Sequence, residues 1–284
     1  MRYAGILTLC FVGTFGLTAC NQSSSSGDIE KALGDVNVID ETNLNEVMLT
    51  AADPREAVTY FSQASAANPD RIDLKRGLAI SLVRANQSRA ASKAWQDVLA
   101  LPGSTNEDRI EYADALIRAN DWQAAEAQLN QVPPTHETFK RYRLEAIIAD
   151  SKKEWKKADS FYEIAIGLTT RPSGTLNNWG YSKLTRGEYV EAEKLFAEAL
   201  TYDQTLFTAK NNLVLARAAQ RKYDMPVVQM TQTEHAELLH TAALSAIKQG
   251  DINTGKALLS EAISTHPQHF DTAVRSLEAL DNAA

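Results

Sequence analysis

From Val38 onward, small and large apolar residues return in a fixed order. One unit can be laid seven times, from Val38, Ile72, Asn106, Phe139, Ser173, Phe207 and Ala236, at separations of 34, 34, 33, 34, 34 and 29 residues. The eighth place is small in five units (Ala79, Ala113, Ala146, Gly180, Ala243), and the twentieth in six (Ala57, Ala91, Ala125, Ala158, Ala192, Gly255). A large apolar residue follows at the twenty-fourth place: Phe61, Trp95, Leu129, Tyr162, Phe196 and Leu259. The twenty-seventh is Ala64, Ala165, Ala199 or Ala262, with Val98 and Val132 as exceptions. Places twenty, twenty-four and twenty-seven share one helical stripe by their i, i+4, i+7 spacing. Each unit is therefore expected to be two helices, the small residues letting them approach closely.

Turn residues support the same register. Asn86, Asn120, Gly187 and Gly250 occupy the fifteenth place, where the first helix must stop, and Asn and Gly tolerate the left-handed conformation of a helix end. Lys153 and Arg221 depart from this pattern. Trp122, Trp155, Tyr189 and Ile252 open second helices at the seventeenth place. Pro69, Pro102, Pro133, Pro172 and Pro267 mark the breaks between units, since proline ends the helix before it and is accepted in the first turn of the next.

A sustained 34-residue period resembles the tetratricopeptide repeat, and the clearest copy is Asn178-Trp179-Gly180, Gly187-Glu188-Tyr189, Glu191-Ala192, Phe196, Ala199 and Leu200. The resemblance implies an all-α, right-handed solenoid of about seven helix-turn-helix repeats over residues 38–280, each burying its face only against its neighbours. The unit at Phe207 is irregular. Its first helix is expected from Thr208 to Arg221, but Pro226 stands where the second helix needs a small residue. Met225 to Met230 is then expected to run extended, either filling the gap or lying in the groove. A helix restarts after Thr231, which with Glu234 reads as a capping box.

Composition adds compartment and partner class. The 284 residues carry a formal charge of −7, which argues against a phosphate-binding surface, because nucleic-acid affinity rests on clustered Lys and Arg. At the N-terminus, Arg2 precedes an apolar run from Ala4 to Leu17 and then Leu17-Thr18-Ala19-Cys20. This looks like a lipoprotein signal peptide over residues 1–19, too short to span a bilayer, with Cys20 as the lipidated residue. Two or more acyl chains give stable anchoring where one gives marginal binding. Residues 20–37, with Ser23 to Ser26, read as a flexible tether; the stretch from Asn21 to Asn37 would reach about 20 to 25 Å. Cys10 and Cys20 are the two cysteines, so the mature fold is expected to hold no disulfide.

Catalytic signatures are sparse. The sequence has no glycine-rich phosphate loop, Cys-based metal spacing or Gly-x-Ser-x-Gly elbow after Cys20, so no catalytic residue, metal or cofactor is assigned. His266 and His269 straddle Pro267, and a loop cap or partner contact suits them better than metal ligation. His136, His235 and His240 read as helix-end residues. In tetratricopeptide arrays the first helices line the concave groove, and there the fifth place offers Arg76, Ile110, Arg143, Asn177 and Asn211, with Tyr181, Asp114, Asp150 and Lys140 nearby. Asparagine can both donate to and accept from a peptide backbone, and arginine can bind a carboxylate in bidentate fashion. Asn177 and Asn211 could equally serve only to satisfy adjacent backbone groups, and the arginines could simply be solvated. Arg76, Arg143, Asn177, Tyr181 and Asn211 are the candidate peptide-binding residues. The recurring Lys and Asn set of carboxylate-clamp members is not reproduced, which disfavours an acidic C-terminal peptide.

The lipobox at Cys20, the Ser-rich tether and the C-terminal stretches Lys248-Gln-Gly-Asp-Ile252, Gly255-Lys-Ala-Leu-Leu259 and Thr265-His-Pro-Gln-His-Phe270 together resemble the TadD lipoprotein family of the tight-adherence (Flp) pilus system. That resemblance implies a non-enzymatic protein on the periplasmic face of the bacterial outer membrane, held by its N-terminal lipid. It would act as a scaffold or pilotin toward the secretin or other pilus-assembly components. An envelope protease adaptor or an outer-membrane assembly scaffold is the same-class alternative; a metal-dependent enzyme using the C-terminal histidines is the different-class one.

Overall fold

A computed structural model describes residues 43–282, and these are helices joined by short turns. The chain divides into two compact units, Met1–Asp53 and Pro54–Ala284. In the first, the described part is a helix over residues 43–50, α1. The second holds α2 (Pro54–Ala67), α3 (Ile72–Arg84), α4 (Ser88–Leu99), α5 (Asn106–Arg118), α6 (Trp122–Leu129), α7 (Phe139–Ser151) and α8 (Trp155–Gly167). It continues with α9 (Ser173–Thr185), α10 (Tyr189–Tyr202), α11 (Phe207–Ala219), α12 (Gln232–Lys248), α13 (Ile252–Thr265) and α14 (Asp271–Asn282). The proposed signal segment, Cys20 and the tether lie outside the described residues. Among those described, no helix is long and apolar enough to cross a membrane.

Helices pair as α3 with α4, α5 with α6, α7 with α8, α9 with α10 and α12 with α13; the first four pairs pack each on the next, and α11 packs between the last two. Small and large places explain the pairing. Ala57, Ala91, Ala125, Ala158 and Ala192 are fully buried, and Phe61, Trp95, Leu129, Tyr162, Phe196 and Leu259 are the large side chains sealed against them. Gly180 shows how close the approach is: a Cβ there would lie 2.7 Å from the Phe196 ring. Val132, just past the short α6, stays buried although its helix has already ended.

From the second repeat to the seventh, the turn that ends the first helix closes in the same way. Asn86, Asn120, Lys153, Gly187, Arg221 and Gly250 all take positive φ, between 57° and 82°. In each case the next residue's N–H reaches back five positions: Gln87 to Leu82, Asp121 to Leu116, Glu154 to Ala149, Glu188 to Lys183, Lys222 to Arg217 and Asp251 to Ala246, at 2.9 to 3.1 Å. This is the Schellman closure, which satisfies carbonyls left open at a helix end. Lys153 and Arg221 thus adopt the left-handed turn without the residue type that favours it.

Repeat six loses its second helix. After α11 the chain runs irregularly to Thr231, whose hydroxyl accepts from the Glu234 N–H at 3.1 Å while the Glu234 carboxylate accepts from the Thr231 N–H at 2.8 Å, starting α12. That helix begins at Gln232, a turn before the expected unit start at Ala236, because the cap sits there. Tyr223, Met225 and Met230 pack on the core formed by Val214, Leu238, Leu239 and Leu259, and Val228 packs on the Leu176, Phe196 and Leu213 core. The segment therefore fills the place of the missing helix, and none of it lines the groove described below.

Candidate peptide-binding groove

First helices α7, α9 and α11 pack directly on one another and form one wall of a concavity of about 490 Å³. Ile147, Asp150, Asn177, Asn178, Tyr181, Thr208, Asn211 and Asn212 project into it from these helices, with Tyr162 contributed by α8 and Phe207 at the start of α11. The lining is apolar for the most part and holds one carboxylate. That carboxylate is already engaged: Asp150 accepts from the Ser182 hydroxyl at 2.6 Å and from the Tyr162 hydroxyl at 2.9 Å. Burial, and then the Asp150 charge, push the Tyr162 phenol far above its usual value, so it remains a protonated donor.

The asparagines link neighbouring repeats. Asn212 donates its Nδ2 to the Asn177 Oδ1 at 3.0 Å, and the Thr241 hydroxyl donates to the Asn211 Oδ1 at 2.8 Å. Both Asn177 and Asn211 keep their own Nδ2 groups without a hydrogen-bond partner among the described residues. Each therefore has one face fixed by the scaffold and two N–H donors left over. Tyr181 is 53% exposed beside them.

The five-rung ladder expected from the sequence does not form as one surface. Asn177, Tyr181 and Asn211 come together; Arg76 lies in a separate concavity with Ile80, Trp95, Thr105, Glu107, Asp108 and Glu111. Its guanidinium binds both Asp108 oxygens at 2.7 Å and the Gly103 carbonyl at 3.1 Å. Burial raises the Asp108 pKa, but the bonds from Arg76 and Thr105 outweigh it and hold the carboxyl below its usual range. Arg76 is thus committed to joining repeats two and three. Ile110 is fully buried, and Arg143 lies over the Phe139 ring at 5.9 Å with its Nε buried. Of the nearby polar positions, Lys140 pairs with Glu111 at 2.6 Å and Asp114 at 3.0 Å, and Arg118 also pairs with Asp114.

Several lining residues escaped the sequence reading. Asn178 and Asn212 stand one place after the asparagines that were selected and recur at the same 34-residue interval, so the doubled amide was visible as a pattern. Tyr162 belonged to the apolar stripe and gave no sign that its hydroxyl edges the groove.

The C-terminal histidines are occupied with local structure. His266 Nδ1 accepts from the Gln268 N–H at 3.1 Å, and its ring stacks on Phe270 at 4.8 Å. His269 is exposed, 3.9 Å from Asp271. His240 packs against Phe270, and burial lowers its pKa. Among the described residues, no cluster of three His, Cys, Asp or Glu side chains is placed to hold a metal ion.

Comparison with known proteins gives the fold. No protein-family model matches the chain, and no curated protein matches it. Solved structures do. Cut9 in its complex with Hcn1 aligns at a TM-score of 0.60 and 12% identity over 83% of this chain, which spans only 48% of that one. The C-terminal part of a TPR repeat-containing protein from Cytophaga hutchinsonii aligns at 0.53 and 16% identity, over 83% of this chain and 98% of that one. PilW, a type IV pilus biogenesis factor, aligns at 0.55 and 13% identity, over 84% and 96%. With its 34-residue helix pairs, Schellman turns and these neighbours, the chain is a tetratricopeptide-type α-solenoid in fold.

Proposed function

We propose that the protein is a lipid-anchored scaffold of the cell envelope, most like TadD, which holds a segment of a pilus-assembly protein, the secretin first among candidates, in the groove between α7 and α11. The observation that carries this reading is the convergence of Asn177, Tyr181 and Asn211 on one open, largely apolar concavity with unspent amide donors. Such a surface binds through hydrogen bonds to a backbone and contact with side chains, and its groups suit holding better than bond-breaking. The lipobox at Cys20 supports anchoring, and confinement to one membrane raises the effective concentration of both partners, so modest contacts suffice. PilW, a pilus biogenesis factor, shares this fold, which is in keeping with the assignment.

The test is co-purification of the secretin from crosslinked membranes with the wild-type protein and with the Asn177→Ala, Tyr181→Ala double variant. Recovery should drop about tenfold or more in the variant at equal abundance and helix content. Equal recovery would remove the groove from the interaction, and mass spectrometry showing Cys20 unacylated would remove the anchor.

A further inference from the structure

The ninth place of the first helices forms an apolar row beside the asparagines. Ile147, Tyr181, Leu215 and Leu244 stand there in repeats four to seven, 34, 34 and 29 residues apart. Ile147 and Tyr181 line the groove, while half-buried Leu215 and Leu244, 45% exposed, continue the row past its lining. In repeat three the same place is Asp114, so the apolar row begins at repeat four.

Spacing selects the shape of what can follow this row. Directly packed helices lie about 8 to 10 Å apart, so consecutive rungs are separated by about that distance. A polyproline II segment rises about 3.1 Å per residue with three residues per turn, about 9 Å, and returns a side chain to the same side once per rung. A β-strand repeats its facing side chain about every 6.6 Å and drifts out of register. A helix could match with every seventh residue, but its carbonyls are consumed internally and would leave the Asn177 and Asn211 donors idle. Polyproline II carries no internal hydrogen bonds, so its carbonyls are available to those two amides. Tyr181 and Phe207 supply the aromatic surface on which such segments dock. Charge narrows the choice further: the lining holds no cation, and its one carboxylate is satisfied, so nothing there would compensate an acidic side chain.

Resting on the groove assignment above, we infer that the bound segment is an uncharged, proline-rich stretch of a protein partner in the polyproline II conformation, with a bulky apolar side chain at every third residue. The row from Ile147 to Leu244 reads those side chains, and Asn177 and Asn211 read the carbonyls between them.

Fluorescence anisotropy of the full chain in detergent tests this with four labelled twelve-residue peptides. The first repeats Leu-Pro-Gln; the second has the same composition with Leu at alternate positions; the third is Ala-rich and helical with Leu at every seventh residue; the fourth is the first with Glu for Gln. The first should bind about tenfold tighter than each of the others, with Tyr181→Ala and Leu244→Ala each weakening it about threefold or more and Tyr181→Phe retaining it. Equal or tighter binding of the second, third or fourth peptide overturns the inference, as does indifference to both alanine variants. If no peptide binds while secretin recovery still depends on Asn177 and Tyr181, the register is wrong and the groove reading stands. If neither is seen, both fall.

Discussion

Lys153 sits at φ 61° because the backbone closure from Glu154 to Ala149 holds it there. A side chain with a Cβ is strained in that region where glycine is not. Lys153→Gly should therefore stabilise the fold by about 0.5 to 1 kcal/mol, read as a raised urea midpoint at unchanged slope; a lowered midpoint would contradict the turn. Asp159 makes the opposite case, a polar residue that the fold needs. Trp179 and Arg186 donate to its Oδ1 at 2.7 Å, and Lys183 to its Oδ2 at 2.9 Å. Burial alone would raise its pKa, but these donors bring it down to about 2. A folded value below the unfolded one gives stability that is complete above about pH 4 and lost as pH falls toward about 2, worth about 2 kcal/mol. Asp159→Asn should remove that part of the acid dependence. The small and large apolar places were legible from the sequence because helix periodicity exposes them. Asp159 was not, because its three partners sit 20 to 27 positions ahead with no repeating signature.

At the scale of the element, repeat six shows how a broken pattern is repaired. Pro226 was visible as a helix breaker, and so was the Thr231 and Glu234 restart; what the sequence could not decide was which side of the array the intervening segment covers. Met225 and Met230, flexible enough to fill an irregular gap, answer that by packing where the second helix would lie. Glu234 has a second duty, since it pairs with Lys210 at 3.0 Å, and that lysine side chain is 3% exposed. Glu234→Ala leaves a buried ammonium without its partner and takes away half of the capping box, and should cost about 3 to 5 kcal/mol. Thr231→Ala, which removes the cap alone, should cost about 1 kcal/mol. Thermal or urea unfolding of both variants separates the two roles; equal costs would mean that the pair contributes nothing.

Across the array, ion pairs join each repeat from the second to the sixth to its successor. Arg76 reaches Asp108, Lys140 reaches Glu111, Arg186 reaches Asp159, Arg217 reaches Glu193, and Lys210 reaches Glu234. A solenoid has no central core to fix the order of its units, so neighbour contacts must do it. A double-mutant cycle with Arg76→Met and Asp108→Asn should give a coupling of about 1 to 2 kcal/mol, and a value near zero would leave apolar packing alone as the source of register. The same demand explains why the candidate ladder was only partly legible: Arg76 and Arg143 share a helical place with Asn177, but Arg76 faces a buried acid and Arg143 an aromatic ring, so neighbours rather than position decide which side chains remain available.

The hollow face lined by first helices, and not the outer face, is the surface proposed to receive a protein partner. A photo-crosslinking amino acid placed at Tyr181, and separately at Ile164 on the exposed side of α8, tests it in living cells. An adduct with the secretin or another pilus-assembly component is expected from position 181 and none from position 164. Adducts from position 164 alone, or from neither, would contradict it.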